Sequence, residues 1–234
     1  MSDYFNSTYS NEGMARKEQT ILRNVYLWMT IGLLITAGVA FAVIQGGFYR
    51  YILSGITYFI LMIAEFGLVI YLSRNIMRLS TGQAVAAFTG YSALNGLTLS
   101  VIFYAYTRSD IFSAFIAAGV TFGVVSFWAT VTKRDMSGWG HYLFMGLIGL
   151  IVAGFINMFF YNSLFGSIYS FVGVLLFTAL AAYDTQMIKR MSDQMSSQVD
   201  ESSYIKLSIL GALKLYLDFI NMFLFILRIF GRRN

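Results

Sequence analysis

The chain has 234 residues, of which 58% are hydrophobic and only 12% charged, and its mean hydropathy is +0.68. A soluble domain carries roughly 25% charged residues, so this composition excludes an ordinary soluble fold and points to an integral membrane protein. The net charge of +5 does not argue for nucleic acid, because the basic residues fall between apolar runs, where membrane topology accounts for them.

Cysteine is absent, which excludes disulfides and thiolate metal sites. Proline is absent too, so each apolar run can form an unbroken helix. Residues 1–20, MSDYFNSTYSNEGMARKEQT, are polar and read as a short, mobile cytoplasmic tail. No apolar stretch with a small-residue cleavage site follows a basic start, so no removable signal peptide is expected. Residues 21–234 read as one transmembrane domain without internal repeats.

Seven segments reach the length of about 20 residues that a crossing helix needs. They are 24–44, 51–72, 84–106, 111–131, 141–160, 164–184 and 211–230. With the N-terminus inside, the cytoplasmic loops collect Arg16, Lys17, Arg23, Arg74, Arg78, Lys133, Arg134, Lys189, Arg190 and Lys206. The opposite loops hold only Arg50 and Arg108. That asymmetry predicts a cytoplasmic N-terminus. Trp28, Trp128 and Trp139 fall near the predicted cytoplasmic ends of their spans, as interfacial anchors would. The last segment strains the rule, since a seventh crossing puts Arg232 and Arg233 outside. Seven crossings are still the expectation, with a re-entrant last segment as the alternative.

Three acids lie within these runs: Glu65 in the second, Asp184 at the end of the sixth and Asp218 in the seventh. An ionisable group within a span costs about 2.5–3.5 kcal/mol on insertion scales, so each needs a partner or a use. Asp184 is explained without function if it caps a helix end. Asp218 is explained if Lys214, four residues earlier, neutralises it along the same helix. Glu65 reads either as a protonated acid bonded to a neighbouring helix or as a further acid on an ion or proton path. Two carboxyls sharing one poorly hydrated site cannot both ionise easily and titrate as a unit.

Other polar residues read as structural. Asp135 in KRDMSGWG is a turn or cap residue, and the lone histidine, His141, is an interfacial bystander. Asn95, Asn157 and Asn221 are expected to bond across helices as packing. Gly32, Gly38, Gly119, Gly123, Gly146 and Gly149 are expected to let helices approach closely. No phosphate loop, histidine pair at metal spacing or nucleophile elbow is present, so neither an enzyme nor a bound cofactor is expected.

Four stretches, YSALNGLTLSVIFYAYT (91–107), TKRDMSGWGHYLFMGLIGL (132–150), FTALAAYDTQMIK (177–189) and SILGALKLYLDFINMFLFILRIFG (208–231), together carry a family resemblance. In this order and at these separations the chain resembles the Bax inhibitor family of membrane proteins, in its bacterial inner-membrane branch. The resemblance implies an all-α membrane protein, a seven-transmembrane helical bundle with the last helix central. It also implies a paired-aspartate site at Asp184 and Asp218, tied to a pH-sensitive leak of Ca²⁺. Eukaryotic members suppress cell death, a readout that belongs to the host cell.

In relatives an arginine near the cytoplasmic end of the second span latches an aspartate; here Arg74 or Arg78 stands near that place, and Lys214 competes for the role. Ca²⁺ wants six to eight oxygens, so two aspartates imply only a transient site on a leak path. Some bacterial relatives restrain a membrane-bound AAA protease, for which the N-terminal tail and MSDQMSSQVDESS would be docking segments. The Tyr-Asp and second Asp also resemble intramembrane aspartyl proteases. That family's Gly-x-Gly-Asp glycines are missing here, and its Pro-Ala-Leu motif is impossible without proline.

Overall fold

The structure, a computed structural model, describes residues 2–52, 55–160, 162–194 and 201–231, with side chains from residue 21 onward except at 158 and 194. Among the described residues seven helices are long and apolar enough to cross a membrane. They are α1 (Ser2–Gln45, apolar from Ile21), α2 (Gly55–Asn75), α3 (Thr81–Leu99), α4 (Arg108–Val131), α5 (Gly140–Phe159), α6 (Ser163–Gln194) and α7 (Glu201–Phe230). Single turns at Tyr49–Ile52, Ile102–Ala105 and Ser137–Trp139 lie in the connections.

Polar residues at the helix ends fix where helices start. Ser80 and Gln83 exchange bonds at the head of α3: the Gln83 N–H donates to Ser80 Oγ at 3.2 Å, and the Ser80 N–H to Gln83 Oε1 at 2.9 Å. This reciprocal pair satisfies two donors that a helix start otherwise leaves free. Thr107 Oγ1 accepts from the Asp110 N–H to open α4, and Asn162 Oδ1 accepts from the Leu164 N–H to open α6. Asp135 holds the turn before α5 by accepting from the Ser137 N–H at 2.9 Å, the role expected of it. The third span is not one unbroken helix, because α3 stops at Leu99 and a short turn follows. The Thr98 hydroxyl lies 2.9 Å from the Asn95 carbonyl, a contact that competes with the helix ladder and bends it.

The sixth and seventh helices also outrun the expected spans. The α6 helix continues ten residues past Asp184, and α7 begins ten residues before Gly211. Hydropathy ends each span where polar residues begin, yet the helices carry on with one face packed, burying Ile188, Ser192, Leu207 and Ser208. Asp184 is therefore an interior helix residue and caps nothing. The α7 helix is continuous over 30 residues, about 45 Å at 1.5 Å per residue, and it does not turn back as a re-entrant segment would.

The last helix is the buried one. In α7, 67% of the most apolar stretch is buried, against 39% or less in every other span. Its apolar residues face protein except at the C-terminal end, whereas Ile63 of α2 and Phe127 of α4 turn outward mid-helix, each 71% exposed. Apolarity alone cannot separate these two environments, because lipid tails are as apolar as leucine.

The chain divides into two compact units. One comprises residues 1–98 and 188–213. Here Gly96 lets α3 approach α1 so closely that an added methyl would stand 2.6 Å from the Thr36 carbonyl oxygen. Thr36 Oγ1 in turn reaches the Ser92 carbonyl at 2.9 Å, Trp28 meets Phe88 edge to face, and Gly211 packs on Val25 and Ile188. The other comprises residues 99–187 and 214–234. Its core is aromatic: Phe115 and Phe122 set their rings edge-on to Phe219, and Phe225 lies between Tyr169 and Phe177.

Close helix approach is real, but only partly where expected. Gly32 meets Phe88 and Gly146 meets Leu176, while Gly38, Gly119, Gly123 and Gly149 face open space. The tight contacts at Gly96, Gly154, Gly173 and Gly211 were not among those expected. Composition shows that small residues exist, but only the rotation of each helix decides which of them meets a neighbour.

Candidate functional site

Asp184 on α6 and Asp218 on α7 both lie in the second unit and are 7% and 4% exposed. The residues beside them are drier still: Ala181, Thr185, Leu215 and Tyr216 are fully buried. Lys214 reaches from α7 to α6 and places its Nζ 3.5 Å from Asp184 Oδ1. That is longer than the 2.7–2.9 Å of a tight charge-assisted hydrogen bond, so the contact is an ion pair at loose range. Asp218 stands four residues beyond Lys214, on the same face of α7. Both the Asp184 carboxylate and the Lys214 ammonium lie within charge–charge range of Asp218. Asp218 Oδ2 is buried without a hydrogen-bond partner among the described residues.

The site is thus two acids and one amine in a dry setting, with the amine partly open, its side chain 36% exposed. Lys214 pairs with Asp184, thirty residues away in sequence, and not with Asp218 in the i,i+4 contact expected along one helix. Arg74 and Arg78 sit exposed at and just beyond the end of α2 and hold no carboxylate among the described residues. Nor do any described residues gather three or more His, Cys, Asp or Glu side chains at a metal-binding spacing. Two carboxylates fall far short of the oxygens Ca²⁺ takes.

Glu65 lies elsewhere, in the first unit, half-buried and hydrogen-bonded to the hydroxyl of Thr98 on α3. That hydroxyl also contacts the Asn95 carbonyl, and its single proton cannot serve both acceptors. A protonated Glu65 that donates to Thr98, which donates onward to Asn95, satisfies the whole chain. His141 is exposed, against Tyr142. The three amides do not bond across helices as expected. Asn221 bonds the Leu217 carbonyl of its own helix, Asn95 reaches only Tyr91 one turn back, and Asn157 Oδ1 has no partner among the described residues. Of the expected docking segments, the N-terminal side chains and residues 195–200 lie outside the described part.

Two neighbours of Asp184 do work that the sequence reading passed over. Thr185 donates its hydroxyl proton to the Ala181 carbonyl of its own helix at 2.7 Å and keeps its oxygen 3.4 Å from Ser126 Oγ on α4. Gln186 fastens the connection after α4 with its whole amide: Nε2 donates to the carbonyls of Ala129 (3.3 Å) and Arg134 (2.9 Å), and Oε1 accepts from the Met136 N–H (3.1 Å). A glutamine two residues past an aspartate, inside an apolar run, was the available signal. Gln186→Leu would leave two buried backbone groups, the Ala129 carbonyl and the Met136 N–H, unpaired at about 1–3 kcal/mol each before relaxation, and would hand the part-buried Arg134 carbonyl to water. Its unfolding free energy in detergent micelles should fall by about 2 kcal/mol or more, and an unchanged value would mean that other groups take over these bonds.

Seven membrane-length helices with a buried acid–amine cluster between the last two define a multi-pass membrane protein with a polar centre. The chain belongs to the Bax inhibitor family: residues 18–234 match the family described as "Inhibitor of apoptosis-promoting Bax1". It is 46% identical over 218 residues to inner membrane protein YbhL of Escherichia coli K12, covering 92% of this chain and 93% of that protein. An uncharacterised protein of Deinococcus radiodurans is 39% identical over 216 residues, covering 92% of each chain. One from Borreliella burgdorferi is 37% identical over 225 residues, covering 93% of this chain and 96% of its own.

Proposed function

We propose that this protein is a pH-sensitive cation leak or exchange pathway, with Ca²⁺ as the permeant ion, gated by protons at Asp184 and Asp218. It would act in the bacterial inner membrane with its N-terminus in the cytoplasm. The loop-charge asymmetry and the location of the Escherichia coli relative support that placement.

One observation carries the reading: two buried acids from consecutive helices face one lysine. The charge count gives the sign. With Lys214 charged and one proton on the two acids, the cluster is neutral and holds α6 to α7. Losing that proton leaves one uncompensated negative charge in a dry site. Asp218, whose Oδ2 has no partner, is the acid assigned the proton. The ionised cluster then loosens the helix contact and attracts a cation, which waters and carbonyls must help to coordinate. Lys214 has to leave Asp184 for a cation to take its place, and its partial exposure gives the amine somewhere to go. Flux therefore rises as pH rises.

The test is purified protein in liposomes, with Ca²⁺, Na⁺, K⁺ and H⁺ flux followed in parallel from about pH 5 to 8. Asp218→Asn cannot change charge, so its flux should be flat across this range while the parent's rises. A parent-like pH profile in this variant would end the proposal.

A further inference from the structure

The far end of α7 carries a second polar group that gating does not use. Arg228 lies in the last turn of α7, half-buried, with its Cζ 5.2 Å from the centroid of the Tyr169 ring. No carboxylate pairs with it among the described residues. Across from it Asn157, near the end of α5, is 5% exposed and keeps the unpartnered Oδ1. Between them stands Gly166 in the first turn of α6. A methyl group there would lie 3.6 Å from Arg228 Nη2 and 3.8 Å from Asn157 Oδ1. A methyl-sized space at residue 166 is thus flanked by a guanidinium with no carboxylate partner and a buried amide oxygen with no donor among the described residues.

An arginine near the end of a span ordinarily extends to the headgroup region on its own. Here it lies over an aromatic ring, beside a buried orphaned acceptor. A buried acceptor left unpaired is costly, so the space calls for an occupant that accepts from Arg228 and donates to Asn157. Phe159, Phe160, Leu164 and Phe230 at the adjoining helix ends are all exposed and offer an apolar flank beside it.

We propose that this crevice binds the headgroup of one phospholipid, its phosphate on Arg228 and an N–H or O–H of the same headgroup on Asn157. Phosphatidylethanolamine and phosphatidylglycerol carry such a donor beside the phosphate; phosphatidylcholine carries none. The inference stands apart from the ion-leak reading and survives its failure.

The experiment is native mass spectrometry of the full chain in detergent, titrated separately with these three lipids, with inorganic phosphate as competitor. The parent should hold one phosphatidylethanolamine or phosphatidylglycerol about tenfold more tightly than phosphatidylcholine. Arg228→Gln should weaken all three by about tenfold. Asn157→Leu should erase the preference and leave phosphatidylcholine binding as in the parent. Gly166→Ala, whose methyl fits at ordinary contact distance, should lose the tight lipid while melting as the parent does. Equal affinity of the parent for the three lipids would overturn the proposal, as would parent-like binding by Arg228→Gln. Displacement of the lipid by millimolar inorganic phosphate would overturn it too, since it would make the site one for a soluble anion.

Discussion

Lys214→Met should destabilise the protein by about 3 kcal/mol at pH 8, and by much less at pH 5. Removing one partner from a buried ion pair costs about 3–5 kcal/mol, because the other charge is left uncompensated. The loose 3.5 Å contact and the partial exposure of the lysine put this case at the lower end. Without the amine, Asp184 and Asp218 face each other with no cation, and the remedy left to the site is to take up protons. Acid supplies them, so the deficit should shrink as pH falls. Combining Lys214→Met with Asp184→Asn removes both members of the pair and should restore most of the loss at pH 8. Unfolding in micelles, followed through Trp28, Trp128 and Trp139, measures all three quantities. A deficit equal at both pH values, or one that the second substitution does not relieve, would mean that the lysine acts by packing its stem.

Gly96→Ala should be among the most damaging single-methyl changes in the chain, and Gly38→Ala harmless. On a bare helix either substitution gains up to about 1 kcal/mol, because alanine is the better helix former. At Gly38 the methyl meets nothing and the gain stands. At Gly96 it would stand 2.6 Å from the Thr36 backbone oxygen and 2.8 Å from Val39 Cβ. Neither atom can rotate away, so α3 must withdraw from α1. Overpacking of this kind costs about 1–3 kcal/mol or more, and the two alanine variants should differ by about 2–4 kcal/mol in unfolding free energy. Chemical denaturation in mixed micelles decides it, and equal stability of the two variants would show that the α1–α3 contact yields.

These cases show where the sequence was informative. The number of spans was legible because burying a helix backbone in lipid requires a long apolar run, and seven runs stand out. Asp184 and Asp218 were legible because a charge inside such a run is conspicuous. The partner of Lys214 was not. Spacing puts the lysine beside Asp218 on the same helix, but its long side chain crosses to the neighbouring helix, and that depends on how α6 and α7 are rotated. The ends of α6 and α7 were misjudged for a related reason: hydropathy marks where lipid ends, not where helix ends. Asn95, Asn157 and Asn221 were read as bonds between helices because a mid-span amide needs a partner. Two instead reach within their own helices, and Asn157 Oδ1 has no partner among the described residues, the observation the lipid proposal starts from.

The grip of Gln186 on the connection after α4 limits how the centre can move. Three bonds from one side chain tie α6, two residues past Asp184, to the last turn of α4 and to the backbone at Arg134 and Met136. Twisting α6 about its own axis would tear all three at once, whereas tilting would carry that neighbouring backbone along as a passenger. Under the proposed gating, a spin label on Lys133 should therefore keep its distance to one on α6 as Asp184 parts from Asp218, and the moving element would be α7.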